Sequence, residues 1–185
     1  MTTNKDLTRL SKKLALILRH KPESANIKLD KNGWARTDDI LKALGINMSI
    51  LETIVMNDKK GRYAFDECKQ HIRAVQGHSV NVDLALTPII PPDVLYHGTG
   101  SKSVDAILRD GIRKMSRQYV HLSSNINTAI QVGSRHGKAF VLQIDTKQMA
   151  QDGCLFYQAE NGVWLTDYVA TKYITPIYQS DGYGL

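Results

Sequence analysis

At 185 residues, with 42% hydrophobic and 23% charged side chains, the chain has the composition of a globular protein of one large or two small domains. No apolar run approaches the ~20 residues of a membrane helix, and Met1 to Asp6 lead straight into a helical pattern without a signal-peptide core, so a cytoplasmic protein with no membrane partner is expected. The net charge of +6 is unevenly divided: residues 1–92 carry 15 Lys and Arg against 10 Asp and Glu, whereas residues 93–185 carry 9 against 8. An excess confined to the first half suits a polyanionic partner, nucleic acid foremost.

The first element is an amphipathic helix over 7–20, with Leu7, Leu10, Leu14, Ile17 and Leu18 at helical spacing and Pro22 as its stop. Ile27-Lys28-Leu29 follows, then a turn at Asp30-Lys31-Asn32-Gly33 and Trp34. Thr37-Asp38-Asp39 opens a second helix that closes near Gly45, and Ser49 opens a third. Tyr63-Ala64-Phe65 and Ile72-Arg73-Ala74-Val75 read as paired strands. Three short helices and a hairpin form the winged-helix pattern, a common nucleic-acid-binding module. Residues 81–93 hold Pro88, Pro91 and Pro92 without helical periodicity and read as a linker between lobes 1–80 and 94–185. Beyond it come a strand at Val94-Leu95-Tyr96, a helix from Ser101 to Arg109, a strand at Tyr119–Leu122 and a helix from Asn127 to His136. Ala139–Ile144 is a buried strand. Short strands near Leu155–Tyr157, Val163–Leu165 and Tyr173–Tyr178 complete an α+β lobe.

Arg19-His20 ends the first helix. Cations there complement the helix dipole, and the pair also suits phosphate chemistry: Arg offers a planar donor fork, His a movable proton. Arg62 lies in the turn Lys59-Lys60-Gly61-Arg62 and Arg117 between a helix stop and a strand; both read equally as surface cations. Arg73 and Gln76-Gly77-His78-Ser79 form a polar strand end that suits phosphate or sugar. Tyr96-His97-Gly98-Thr99 links a strand to a helix, with a glycine that would let a ligand approach the backbone and two hydrogen-bonding side chains. Neither a dinucleotide fingerprint nor a Walker loop occurs. Cys68, His71 and His78 are too loosely spaced for a metal site, so no metal is expected, and Cys68 and Cys154 are read as free thiols.

Taken in order, these segments resemble the KptA-type RNA 2′-phosphotransferases. The matching segments are Leu18-Arg19-His20, Asp30–Trp34, Asp58-Lys59-Lys60-Gly61-Arg62-Tyr63, Arg73–Ser79, Tyr96–Thr99, Ser116–Ser123 and Asn161–Thr166. The resemblance implies a winged-helix lobe followed by an ADP-ribosyltransferase-like lobe. It implies transfer of an internal RNA 2′-phosphate to NAD through an ADP-ribosylated intermediate, giving 2′-OH RNA, nicotinamide and ADP-ribose 1″,2″-cyclic phosphate. The family's catalytic set falls on Arg19, His20, Arg62 and Arg117. NAD binding falls on His97, Gly98, Thr99, His121 and Ser123, and RNA binding on Arg73, Gln76, Gly77 and His78. Val163 stands where many protein-modifying relatives carry a glutamate, which argues against protein ADP-ribosylation. NAD is thus the expected co-substrate, RNA (tRNA foremost) the partner, and a monomer the expected state. The alternative is ADP-ribosylation of terminal phosphates of RNA or DNA. Arg117 lies beyond the linker, so the catalytic set draws on both lobes.

Overall fold

In the computed structural model, which describes residues 3–179, Thr3 starts helix α1 (Asn4–Arg19). The Thr3 hydroxyl accepts from the Asp6 amide, and the Asp6 carboxylate accepts from the Thr3 amide, both at 3.2 Å. This reciprocal cap satisfies amides that a helix start otherwise leaves without partners. The chain divides into two compact units, Met1–Ala85 and Leu86–Leu185, and both mix helix with sheet.

In the first unit α1 buries Leu14, Ile17 and Leu18, and a 3₁₀ turn at Pro22–Ala25 follows the proline stop. Strand β1 (Trp34–Arg36), helices α2 (Thr37–Leu44) and α3 (Met48–Met56), and strands β2 (Tyr63–Phe65) and β3 (His71–Ala74) complete it. The sheet is antiparallel, ordered β1-β3-β2, so the expected hairpin gains a third strand. That strand starts only after the Asp30–Gly33 turn, where the Asp30 carboxylate accepts from the Asn32 and Trp34 amides at 2.8 and 2.9 Å. Leu14, Leu18, Ile40, Leu51 and Ile72 form the fully buried centre.

In the second unit β4 (Val94–Gly100) leads through a 3₁₀ turn (Ser101–Ser103) into α4 (Val104–Asp110). Then come β5 (Ile112–Arg113), β6 (Val120–Leu122), α5 (Ile126–Gly133), β7 (Ala139–Asp145), α6 (Thr146–Gln151), β8 (Phe156–Gln158), β9 (Trp164–Thr166), β10 (Tyr168–Val169) and β11 (Ile174–Gln179). Two three-stranded antiparallel sheets, β11-β7-β4 and β6-β9-β8, enclose Leu95, Leu122, Leu142, Ile144, Met149 and Phe156. The helix expected from Asn127 to His136 stops at Gly133 and tightens into a 3₁₀ turn. Helix α6 was not anticipated. It is too short for a periodic pattern, and its Asp145 cap accepts from the Gln148 amide at 2.9 Å. The two-residue strands β5 and β10 are likewise below any readable period.

Candidate active site

In the first unit the cations gather at the C-terminal end of α1. The segment after β3 returns over that end, and the Ser79 and Val80 amides donate to the Arg19 carbonyl at 2.9 and 3.3 Å. A helix end leaves such carbonyls unpaired, so these bonds are a cap supplied from a distant part of the chain. The same segment brings Ser79 Oγ to 3.0 Å from His20 Nδ1. Gly77, at φ +86°, lies against the Arg19 guanidinium, whose Cζ would be 3.5 Å from an added Cβ. His78 is buried, 1% exposed. Burial first, and then the charges of Arg19, His20 and Arg73, push its pKa down to about 4, so the ring is neutral at physiological pH. Arg73, whose charge acts on His78, has its Cζ 4.5 Å from the ring centre of Trp34, its cross-strand partner.

Arg62 enters from the turn before β2 and is held on one edge. Its Nε donates to Asp58 Oδ1 at 2.9 Å, one terminal nitrogen is also 2.9 Å from that oxygen, and the same nitrogen donates to Ser11 Oγ on α1 at 3.1 Å. The Arg62 amide donates to the other Asp58 oxygen at 2.6 Å. Burial disfavours the charged form of Asp58, but the hydrogen bonds and charge of Arg62 outweigh it and hold the carboxyl below its usual range. The Tyr63 hydroxyl donates to the Ser11 carbonyl at 2.7 Å. Burial raises the pKa of that phenol; the Ser11 bond and the positive fields of Arg62 and Arg19 oppose the rise. Arg19, His20 and Arg62 thus belong to one electropositive neighbourhood.

In the second unit a polar strip runs along β4 and β6. His97 Nδ1 is 3.1 Å from the His121 carbonyl, which can only accept, so Nδ1 carries the proton and Nε2 is the basic end of the ring. Burial and the charge of Arg117 lower the His97 pKa against that bond, which keeps the imidazole neutral. Arg117 is presented by a turn in which its amide donates to the Lys114 carbonyl at 3.0 Å and Met115 adopts φ +53°. A terminal Arg117 nitrogen lies 3.3 Å from His121 Nδ1. Desolvation and the like charge of Arg135 lower the Arg117 pKa, yet a guanidinium stays charged. Ser123 exchanges backbone bonds with Tyr96, both 2.8 Å, and its hydroxyl donates to the Asn125 carbonyl at 3.0 Å.

The side of Gly98 read as open to a ligand is filled by the protein itself. A Cβ there would sit 1.8 Å from the Ala129 carbonyl oxygen, so the group that approaches this backbone is helix α5. Thr99 is 8% exposed and packs beneath the same helix. Among the described residues no group of three or more His, Cys, Asp or Glu is arranged to hold a metal ion, and no helix is long and apolar enough to cross a membrane.

Residues 5–168 match the family model described as RNA 2′-phosphotransferase, Tpt1 / KptA family. The chain belongs to this family. It is therefore a transferase. It is 51% identical over 172 residues to a protein of Fusobacterium nucleatum, covering 90% of this chain and 96% of that one. A protein of Nostoc punctiforme is 48% identical, covering 92% and 97%, and one of Acaryochloris marina 42%, covering 94% and 99%. All three bear the name "Probable RNA 2'-phosphotransferase".

Within this family member, Arg19, His20, Gly77, His78 and Ser79 meet around one helix end, Arg73 flanks them, and Gln76 is half-buried in the same return segment. His97, His121 and Ser123 share a second strip with Arg117. Sequence reasoning gave no role to Asp58 or Ser11. Asp58, four residues before Arg62 and ahead of a glycine turn, carried a readable signal; Ser11, on a helix 51 positions away, carried none.

Proposed function

We propose that this chain removes an internal 2′-phosphate from RNA by transferring it to NAD, releasing 2′-OH RNA, nicotinamide and ADP-ribose 1″,2″-cyclic phosphate. Residues 1–80 act as a winged-helix RNA-binding lobe, 81–93 as a linker, and 94–185 as an ADP-ribosyltransferase-like lobe that binds NAD. tRNA is the foremost substrate. Family membership and the names of the relatives favour this reaction. The observation that carries it is that Arg19 and His20 meet the Gly77–Ser79 segment at the end of α1, while a one-edge-anchored Arg62 bonds the same helix at Ser11 and shares with Arg19 the field on Tyr63.

The chemistry suits these groups. A 2′-phosphate monoester is close to a dianion at neutral pH and lies in an already anionic chain, so bringing it to the anionic dinucleotide needs cations. Arg19, Arg62 and Arg117 orient the phosphoryl oxygens through paired donors. A phosphate oxygen then attacks the nicotinamide-bearing carbon, C1″, and nicotinamide leaves; the dianion is nucleophile enough without a strong base. In the second step O2″ attacks phosphorus and the RNA 2′-oxygen departs. An alkoxide is a poor leaving group, so His20 gives a proton to the departing 2′-oxygen while O2″ releases its own to water, which leaves the step with no net gain or loss of protons. On the dinucleotide side, the neutral His97 ring with a basic Nε2, His121 and the paired charges of Arg117 and Arg135 suit a polar anionic ligand.

The test is incubation of the protein with an internally 2′-phosphorylated oligonucleotide and NAD, without metal, followed by product identification. Cyclic phosphate and 2′-OH RNA are expected; ADP-ribose left on terminal phosphates would assign the chain to a different transfer. Replacing His20 with Ala should slow the second step most, so ADP-ribosylated RNA accumulates. Lost activity without that species would place His20 elsewhere.

A further inference from the structure

Resting on the reading of Arg62 as a phosphate ligand, we infer that Asp58 is a positioning residue that fixes which edge of the Arg62 guanidinium faces the substrate. The Asp58 side chain is 3% exposed, and its two oxygens divide the work. One takes the Arg62 amide at 2.6 Å; the other takes Nε at 2.9 Å and is 2.9 Å from a terminal nitrogen of the same fork. The Asp58 carbonyl accepts from Gly61 at 2.8 Å, so the same residue also closes the turn from which Arg62 projects. Ser11 takes the outer side of the bonded terminal nitrogen at 3.1 Å. The Arg62 Cζ stands 5.3 Å from the centre of the Tyr63 ring, whose hydroxyl is itself tied to the Ser11 carbonyl. Three groups, from α1, β2 and the turn between α3 and β2, therefore define the plane and rotation of the guanidinium, and the second terminal nitrogen marks its outward edge.

The charge balance sharpens the point. A carboxylate paired with Arg62 cancels most of the attraction that this arginine has for a phosphate. If Arg62 served only as positive charge, Asp58 would oppose it. The pairing is useful where the direction of the donors matters more than net charge, as when phosphoryl oxygens must be aligned for in-line displacement. An arginine used for geometry needs its unused edge occupied, and a buried carboxylate four residues away does this at fixed distance.

This role separates binding from turnover. In Asp58→Asn the amide oxygen still accepts from the turn, but the charge and one acceptor oxygen are lost. Turnover should fall by about 10- to 100-fold, the range expected when a reacting group is misplaced by about 1 Å. Affinity for a 2′-phosphorylated oligonucleotide, read by fluorescence anisotropy without NAD, should stay constant or tighten because a negative charge is gone. The thermal midpoint is measured in parallel. Unchanged kcat overturns the inference, as does a parallel loss of kcat, affinity and midpoint, which marks a role in folding alone. Should Asp58→Asn not fold, Ser11→Ala removes the second acceptor of the same fork; a several-fold drop in kcat with unchanged affinity is expected, and no drop overturns the inference. A readout independent of activity is the Arg62 Nε–H resonance in a ¹⁵N spectrum. It should be resolved and slow to exchange in the wild type and broadened in Asp58→Asn. If that signature holds while wild-type protein releases no cyclic phosphate, the functional reading fails and the Asp58 clamp stands; an Arg62 signal unchanged by the substitution removes the clamp whatever the activity.

Discussion

At the scale of single residues, His78 shows how burial changes what a polar side chain does. Gln76-Gly77-His78-Ser79 reads as a polar strand end that suits phosphate or sugar, because three polar side chains and a glycine give no sign of what covers them. Arg19 and His20 were legible, since an amphipathic run and Pro22 locate the helix end. The burial of His78 was not, because it depends on Gly33 and Arg19, which lie far away in the chain. The consequence is a pH dependence with a definite sign. In the unfolded chain an imidazole titrates near 6.5, whereas folded His78 takes a proton only near pH 4. Above 6.5 both states are neutral and no penalty applies. As the pH falls from 6.5 to 4 the unfolded state gains a proton that the folded state refuses, and stability drops by about 3 kcal/mol. Protonation would also set a new cation beside Arg19 and His20 at the end of α1 and Arg73 on β3. In His78→Leu that component is absent, so its denaturation midpoint should fall less between pH 7 and pH 4.5 than the wild type's. Parallel curves for the two proteins would show that His78 titrates normally in the folded state.

At the scale of elements, long periodic segments were readable and short or tertiary ones were not. Helix α1, helices α2 and α3, and strands β4 and β7 follow from apolar spacing, but α3 starts before the expected Ser49, because the Asn47 side chain caps it and accepts from the Ile50 amide at 3.0 Å. Strand β1 was missed because three residues, Trp34–Arg36, show no alternation; pairing with β3 creates it. The glycine of Tyr96-His97-Gly98-Thr99 was legible as a close approach, but not as an approach by α5. That packing carries a prediction. In Gly98→Ala the new methyl would lie 1.8 Å from the Ala129 carbonyl oxygen and 2.6 Å from its carbon, both backbone atoms that no rotamer change can move. Helix α5 must shift from β4, at a cost of about 3 kcal/mol or more, the upper range for overpacked sites. For a domain of this size that lowers the thermal midpoint by on the order of 10 °C. Calorimetry of the full chain checks it, and an unchanged midpoint would mean that α5 does not rest on β4 in solution.

For the whole molecule, charge distribution decides how the two substrates respond to salt. Of the net +6, residues 1–92 contribute most, with 15 Lys and Arg against 10 Asp and Glu. Several of the acids in that half are already spent on local bases: Asp58 on Arg62, Asp6 on Arg9, Glu52 on Lys69. Residues 93–185 are nearly balanced, 9 against 8, and there Lys114, Lys147 and Lys172 pair with Asp167, Asp93 and Asp152. An RNA chain releases condensed counterions at each phosphate that a protein neutralises, whereas a dinucleotide has too few charges to condense many. If RNA meets about four cations of the first half, its apparent affinity should fall roughly 50-fold between 50 and 200 mM salt, from a slope near −0.7 per single-strand contact. The KM for NAD should move only a few-fold over the same range. Steady-state kinetics in a salt series, varying one substrate at saturating concentrations of the other, separate the two responses. Equal salt slopes for RNA and NAD would contradict the assignment of polyanion binding to the first half, because the only large charge excess in the chain would then have no part in holding the longer substrate.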